Sequence, residues 1–290
     1  MTSIDDQSPS SNSYLRGRAV SWIFGLFLAL ASRPALALTV GGDITTDTTW
    51  ALSDSPVLVT SNLAVNGVRL DIAPGVIVKF SPNVNLFFSN AVLNAPATVA
   101  QPIHFTSIND HSVGGATGSG SPAPGDWAGI YFANSSAALA NVHVRYGGSQ
   151  SFGTVMIYVY ASSTMTFTGG EASFSQTDAI FGDVSSFLSI SSAAFTGNGG
   201  WAINTDGNIP LLSGSMISSG TKGVRITREQ NVQFQGNSLQ DLSTLAMELH
   251  AGVRLLGAQD TVVSPLHSRP MRVEIPSGFV AESTEWLLAD

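Results

Sequence analysis

The chain has 290 residues and a formal net charge of −8, with 11% charged and 43% hydrophobic residues. It has no cysteine, which excludes a disulfide framework and any thiolate metal site. The balance of 12 basic against 20 acidic residues argues against a nucleic-acid partner. The 29 glycines and the low charge content suit short strands joined by turns better than they suit long helices.

The N-terminus has the three parts of a secretory signal peptide. Arg16 and Arg18 precede an apolar run, residues 19–31, which is too short to span a bilayer comfortably. The motif at residues 35–37, Ala-Leu-Ala, then matches a cleavage site of small residues. We therefore predict a signal peptide at residues 1–37 and a secreted or cell-surface chain with no membrane span after cleavage. An uncleaved N-terminal anchor is the alternative.

After residue 37, short apolar or alternating runs are separated by Gly, Asn, Ser and Pro, which indicates strands with tight turns. Three segments repeat at a spacing of about 23 residues. Their closing isoleucines are Ile180, Ile203 and Ile226, and their middle apolar residues are Phe174, Phe195 and Ile217. Such a repeat buries its apolar face only by stacking on its neighbours. The spacing therefore predicts an all-β solenoid over residues 38–277, whereas a sandwich or barrel would not require this periodicity.

Five segments carry further motifs. They are residues 63–80 (ending in APGVIVKF), 101–107 (QPIHFTS), 122–132 (PAPGDWAGIYF), 141–148 (NVHVRYGG) and 195–203 (FTGNGGWAI). Together they resemble the bacterial secreted right-handed parallel β-helix proteins of the pectate-lyase-like superfamily, over about residues 40–240. The resemblance implies a right-handed parallel β-helix and, in the absence of a charged catalytic constellation, the non-enzymatic surface or structural branch. It implies no single activity, because that fold hosts lyases, hydrolases, adhesins and structural coils.

The C-terminus repeats the beginning of the predicted solenoid. Residues 278–290 are identical to residues 42–54 at five of 13 aligned positions, including Trp286 and Trp50. At both places the segment would open a module, with the tryptophan capping its first coil. We predict that residues 278–290 begin a second, truncated module and that the chain is part of a longer tandem array. Chance similarity between two strand–turn segments is the alternative.

Residues 109–125 form the longest predicted loop, and this loop is the candidate for a metal site. Asp110 and Asp126 are its only nearby carboxylates, too few for the six to eight oxygen ligands that calcium takes. We therefore expect a mobile surface flap and no metal. His104 and His143 alternate with apolar neighbours and should face solvent, without a second ligand at the spacing that zinc requires.

Three carboxylates in successive predicted coils are the candidates for carbohydrate cleavage. Asp178, Asp183 and Asp206 are expected on different faces or corners, so they make a poor pair for hydrolysis. We therefore predict no catalytic residue and no cofactor. Residues 243–249 do not fit the coil pattern and could form a short helix.

Four residues are the candidates for ligand binding. Tyr158 and Tyr160 alternate with Ile157 and Val159, so one strand face carries two aromatic side chains that could hold a sugar ring. The alternative is that these tyrosines fill the core. Arg225 and Arg228 belong to the local charge cluster at residues 225–229, in which alternation directs Arg225 outward and Ile226 inward; a solvated strand face is the alternative reading.

These observations favour a β-helical scaffold or adhesin-like module that binds an extracellular glycan or a surface protein and is not an enzyme. The competing function is a carbohydrate-active enzyme, either a polysaccharide lyase or a glycoside hydrolase, on the same fold.

Overall fold

The computed structural model describes residues 37–149, 154–264 and 273–274. These residues form 27 β-strands, with two short 3-10 turns at Leu52–Asp54 and Ala258–Asp260 and no α-helix. Among them, no helix has the length and apolar character needed to cross a membrane.

The strands follow one another in about ten coils. The first two coils hold β1 (Leu38–Ile44), β2 (Thr48–Trp50), β3 (Val57–Asn66) and β4 (Arg69–Ile72). The next three hold β5 (Ile77–Phe80), β6 (Asn85–Ser89), β7 (Val92–Pro96), β8 (Ile103–Ser107), β9 (Gly129–Ala133), β10 (Ser136–Ala140), β11 (Val142–Arg145), β12 (Val155–Tyr160) and β13 (Thr164–Thr168). Two more hold β14 (Glu171–Ser173), β15 (Asp178–Gly182), β16 (Phe187–Ser191), β17 (Ala194–Thr196), β18 (Trp201–Thr205) and β19 (Asn208–Ser213). The last three hold β20 (Met216–Ser218), β21 (Lys222–Ile226), β22 (Asn231–Gln235), β23 (Ser238–Gln240), β24 (Leu245–Leu249), β25 (Arg254–Leu256), β26 (Val262–Ser264) and β27 (Val273–Glu274).

Each strand pairs in parallel with the equivalent strand of the next coil, so the chain forms a parallel β-solenoid. From β5 onward a complete coil has a first, a second and a third strand. In β1 and β3 the first and second strands are continuous around a corner. The first and second strands form an 18-stranded sheet, and the third strands form a nine-stranded sheet. The repeating unit is thus one coil, as the sequence predicted.

The core consists of inward columns that run along the solenoid. One column is Leu63, Leu86, Ile130, Ile157, Ile180 and Ile203, all buried and paired from coil to coil. Because successive side chains of a strand point to opposite faces, an inward column on each sheet leaves an outward column beside it. The outward columns therefore carry the side chains that are free for function.

The predicted repeat is correct in length but partly wrong in register. Ile180 pairs with Ile203, whereas Ile203 pairs with Val224, and Ile226 pairs with Thr205. Two corners shorten between these coils. The corner before the second strand has four residues, 197–200, in one coil and three, 219–221, in the next. The corner before the third strand shortens from residues 183–186 to residues 206–207, and an irregularity in β19 restores one of those two residues. A slip of two residues preserves the alternation of faces, so Ile226 remains buried.

Phe174 is a second error of register. Glu171 pairs with Ala194, so Ala172 stands beside Phe195, the position that Phe174 was predicted to fill. Phe174 follows β14 at the corner with a φ of 56° and stacks on Tyr146, with ring centroids 5.4 Å apart. The helix predicted over residues 243–249 is also wrong, because this segment contains β24, which pairs with β21.

Two predicted segments fall on residues outside the described part of the chain. They are the signal peptide, except for residue 37, and the truncated module at residues 278–290. Trp50, the residue proposed to cap the first coil, is buried in the core at the end of β2.

Candidate functional site

The outward face of the second strands carries aromatic side chains at one register position in four consecutive coils. Phe87 pairs with Tyr131, Tyr131 with Tyr158, and Tyr158 with Phe181. Because neighbouring strands lie about 4.8 Å apart, large side chains at one register position contact each other. The rings of Tyr158 and Phe181, for example, have centroids 5.3 Å apart. We call Phe87, Tyr131, Tyr158 and Phe181 the aromatic column.

Tyr160 extends the aromatic column sideways. It lies two residues after Tyr158 on the same face, and the two rings stack with centroids 4.5 Å apart and planes inclined by 27°. Ile157 and Val159, which lie between and beside them, are fully buried. The tyrosines therefore face outward, and the alternative in which they fill the core is wrong.

The tyrosines of this face remain protonated at neutral pH. Tyr131 is fully buried, and burial raises the pKa of its phenol. Burial also raises the pKa of Tyr158 and Tyr160, which are only partly buried, and the negative charge of Asp183 adds to this rise. Each exposed phenol can therefore both donate and accept a hydrogen bond.

The three candidate carboxylates occupy two corners, not three. Asp183 and Asp206 directly follow the paired residues Gly182 and Thr205, so they lie next to each other in successive coils. The prediction that these two lie on different faces or corners is wrong, because equivalent corners of a solenoid stack. Asp178 lies at the opposite end of β15, as expected.

Hydrogen bonds within the corners occupy these carboxylates. Asp183 accepts hydrogen bonds from the backbone N–H of Ala161 at 3.1 Å and from the hydroxyl of Ser185 at 2.8 Å. Asp206 accepts from the hydroxyl of Thr227. The bonds from Ala161 and Thr227 tie one coil to the next, and the bond from Ser185 closes its own corner, so these carboxylates have structural roles.

Asp178 is bound in the same way. It accepts from the backbone N–H of Trp201 and from the side-chain amide of Asn204, each at 2.7 Å.

Of the two candidate arginines, Arg225 lies in β21 and Arg228 follows this strand, three coils beyond the tyrosines of β12. Arg225 faces outward as predicted and forms an ion pair with Glu248, with its Nε 2.8 Å from the carboxylate Oε1. Arg228 is exposed, lines an open polar pocket of about 580 Å³, and donates to the carbonyl of Val184 at 3.2 Å. The structure therefore brings Tyr158 and Tyr160 together but does not join the arginines to them.

A pocket of about 310 Å³ adjoins the aromatic column at Phe87. Phe87, Tyr131 and Ala64 line its apolar part, and the residues Asp43, Asn62 and Asn85 bring polar groups to it. No motif of the sequence predicts this pocket. The pocket depends on the pairing of Ala64 with Phe87 between coils, and local sequence patterns do not reveal this pairing.

The outward face of the first strands carries a different group, which we call the ionic cluster: His104, His143, Arg145 and Glu171. The rings of His104 and His143 have centroids 4.9 Å apart. Glu171 accepts two hydrogen bonds from the Arg145 guanidinium, at 2.8 and 2.6 Å, and its Oε2 lies 3.4 Å from Nδ1 of His143. His104 and His143 lie on the outward face, as alternation predicts, but they are half-buried and adjacent and do not project freely into solvent.

Two groups of the ionic cluster have shifted pKa values. Burial, reinforced by electrostatic interactions with His143 and Arg145, lowers the pKa of His104 to about 4. Burial opposes ionisation of Glu171, but hydrogen bonds from His143 and Arg145 outweigh it and hold the pKa of Glu171 at about 2. Over the described ranges, no group of three or more His, Cys, Asp or Glu residues is arranged to hold a metal ion.

A buried lysine fixes the long loop between β8 and β9. Lys79 is fully buried, and its ammonium donates to the carbonyls of Asp110 at 2.7 Å and Gly115 at 2.6 Å. The carboxylate of Asp110 accepts from the hydroxyl of Thr106 at 2.7 Å. The loop has no strand, as predicted, but it is anchored to the solenoid by these hydrogen bonds and is not a free flap.

Residues 128–264 match the family described as the right handed beta helix region. With the parallel solenoid, this match confirms the predicted fold, a right-handed parallel β-helix. No curated protein matches the chain. The fold occurs in enzymes and in non-enzymes, so the match assigns no activity.

Proposed function

We propose that this protein is a non-catalytic β-helical scaffold that binds a glycan chain along the aromatic column. The supporting observation is the shared register position of Phe87, Tyr158 and Phe181, which are partly exposed aromatic side chains. Tyr158 and Phe181 lie in neighbouring coils, and the coil of the fully buried Tyr131 lies between Tyr158 and Phe87. Aromatic rings with a polar group offer an apolar surface to a sugar ring and a hydrogen-bonding partner to its hydroxyls. Tyr158 and Tyr160 provide both in one stacked pair.

The spacing of the coils supports a polymer as the ligand. Equivalent positions of a β-solenoid recur about every 4.8 Å. An extended chain of pyranose rings advances by a similar distance per ring. A glycan that lies along the solenoid axis would therefore meet equivalent positions at successive rings, and several weak contacts would add up.

The proposal places the protein outside the cell as an adhesin-like module. The leader predicted at residues 1–37 supports an exported chain. Stacked coils form a quasi-one-dimensional rod, which suits the display of a binding surface at a distance.

The test is glycan binding by the full chain, measured by calorimetry and affinity electrophoresis on a panel of neutral and acidic polysaccharides. Tyr158→Ala and Tyr160→Ala should each weaken binding by about tenfold, in keeping with the energy of a buried aromatic contact. Phe187→Ala is the matched control, because Phe187 is a 46% exposed aromatic on the third-strand sheet. No binding by the wild type, or equal binding by the tyrosine variants, would refute the proposal.

One observation favours the enzymatic alternative. Asp183 and Asp206 stand at one corner of successive coils, close enough to Tyr158 to raise the pKa of its phenol, although burial is the larger cause. A glycoside hydrolase needs at least two neighbouring carboxylates beside its sugar-binding surface. Release of reducing ends or unsaturated products that stops in Asp206→Asn but continues in Asp241→Asn would replace the binding proposal with this one.

A further inference from the structure

The aromatic column ends at a small residue. Ala64 pairs with Phe87 on one side and with Asp43 on the other, so an alanine occupies the position at which the next four coils carry an aromatic ring. The missing side-chain volume leaves the pocket of about 310 Å³ beside Phe87 and Tyr131. This volume lies at the lower end of the range for small-ligand sites, enough for one or two sugar rings.

A change in corner length brings a polar group to this pocket. Val40 pairs with Val59 and Gly42 pairs with Leu63, so the corner has one residue in β1 and three in β3. A Cβ at Gly41 would lie against the hydroxyl of Ser61, so the short corner brings the two coils close together here. The last residue of the longer corner is Asn62, which therefore lies at the rim of the pocket.

The polar groups of the pocket are suited to hydroxyl groups. The Asn62 side-chain oxygen accepts from the Asn85 backbone N–H at 3.1 Å, and over the described residues its amide nitrogen has no partner. The carboxylate of Asp43 is exposed and accepts a 3.4 Å hydrogen bond from the side-chain amide of Asn66. A carboxylate accepts strong hydrogen bonds from sugar hydroxyls.

We infer that this pocket binds a neutral pyranose unit of the glycan and disfavours uronates. Apart from the phenol of Tyr131, Asp43 is the one ionisable side chain among the described residues that line the pocket. No lysine or arginine of the described residues lines the pocket. A uronate carboxylate would face Asp43 without a cation to compensate the repulsion. This inference rests on the proposed glycan binding, and it names the class of sugar that the same surface selects.

The first experiment fills the pocket. Ala64→Leu and Ala64→Trp should weaken binding of a neutral glycan by about fivefold or more, because they remove the space for one sugar ring. Ala138→Trp is the matched control, since Ala138 is an exposed alanine on the outward face of β10. Circular dichroism would verify that each variant is folded, and the leucine variant serves if the tryptophan variant does not fold.

The outcomes separate the inference from the proposed function. Weaker binding in the Ala64 variants with no change in Ala138→Trp supports the inference. Binding that is lost in Tyr158→Ala but unchanged in both Ala64 variants keeps the proposed function and refutes the pocket. Absence of glycan binding by the wild type refutes both.

The second experiment tests the selectivity. Asp43→Asn keeps the shape of the side chain and removes its charge. We expect the ratio of neutral-glycan affinity to oligouronate affinity to fall by about threefold or more at low salt, where charge repulsion is least screened. An unchanged ratio would overturn the assignment of Asp43, while a wild type that prefers oligouronates would overturn the inference as a whole. Asp241→Asn, at an exposed corner elsewhere, is the control.

Discussion

The first and second strands of the same coils present two outward faces with opposite character. In the ionic cluster, on the first-strand face, Arg145, Glu171 and His143 satisfy one another through hydrogen bonds and ion pairs. The aromatic column, on the second-strand face, leaves the phenol groups of Tyr158 and Tyr160 partly exposed. Both faces are built on the same parallel strands, so the difference between them comes from the side chains alone. The polar groups of the ionic cluster bond to one another, whereas the second-strand face can accept a ligand.

The largest expected effect is on stability and concerns the ionic cluster. Arg145→Ala removes two hydrogen bonds from the carboxylate of Glu171, whose side chain is only 15% exposed, and leaves Nδ1 of His143 at 3.4 Å. Because a mostly buried carboxylate loses its guanidinium partner, we expect unfolding free energy to fall by about 2–3 kcal/mol, measured by urea denaturation. Glycan binding should not change, which would separate the two faces.

An exposed ion pair provides the control. Arg69 and Asp71 have side chains that are 49% and 34% exposed. Arg69→Ala should change unfolding free energy by about 0–1 kcal/mol. Equal effects of the two arginine variants would contradict the view that burial makes the ionic cluster important for stability.

A smaller loss of stability is expected at Lys79. Lys79→Met keeps the apolar stem but removes the donor to the carbonyls of Asp110 and Gly115. We expect a loss of about 1–2 kcal/mol and faster proteolysis within residues 109–125, because those carbonyls must find water instead. Lys222→Met, at a partly exposed lysine over the ring of Trp201, should leave the loop protected. Unchanged proteolysis of Lys79→Met would show that the loop is held by other contacts.

The fold was predictable because alternation and stacking are local consequences of the sequence. Apolar residues at every second position give strands, and a recurring coil length gives the solenoid. The exact register was not predictable, because corners gain and lose residues: Ile226 lies two positions beyond the residue that pairs with Ile203. Phe174 was misplaced for the same reason, since an apolar residue at a corner looks like one in a strand.

The site was predictable only in part. The outward pair Tyr158 and Tyr160 follows from alternation once the inward set is known. The rest of the aromatic column does not, because the loop at residues 109–125 separates Phe87 from Tyr131 by almost two coil lengths of sequence. His104 and His143 are neighbours in space for a reason that no local pattern contains, namely the pairing of β8 with β11.

The response to pH should also distinguish the two faces. The pKa of His104 is about 4 in the folded protein, below the ordinary value of 6.5, so the unfolded chain takes up its proton first as the pH falls. Stability should therefore decrease from pH 6.5 to pH 4. The contribution of Glu171, whose pKa is about 2 instead of 4.5, is complete above pH 4.5 and is lost as the pH falls toward 2.

The measurement is unfolding free energy at several pH values between 7 and 4. His104→Gln should flatten the decrease, because glutamine does not titrate, whereas His250→Gln at an exposed corner should not. The contribution of Tyr158 and Tyr160 to glycan affinity should stay constant over this range, since burial raises the pKa of both phenols further above neutrality. An unaltered slope in His104→Gln would assign the pH dependence to other groups.

The smallest expected effect separates the ring from the hydroxyl within the aromatic column. Tyr158→Phe keeps the contacts with Tyr160 and Phe181 and removes one hydrogen-bonding group. If stacking dominates, glycan affinity should fall by about threefold or less, against about tenfold for Tyr158→Ala, with no measurable change in stability. Equal losses in the phenylalanine and alanine variants would mean that the hydroxyl carries the interaction. The aromatic column would then hold a glycan by the same kind of directed polar contact that the ionic cluster uses to hold itself together.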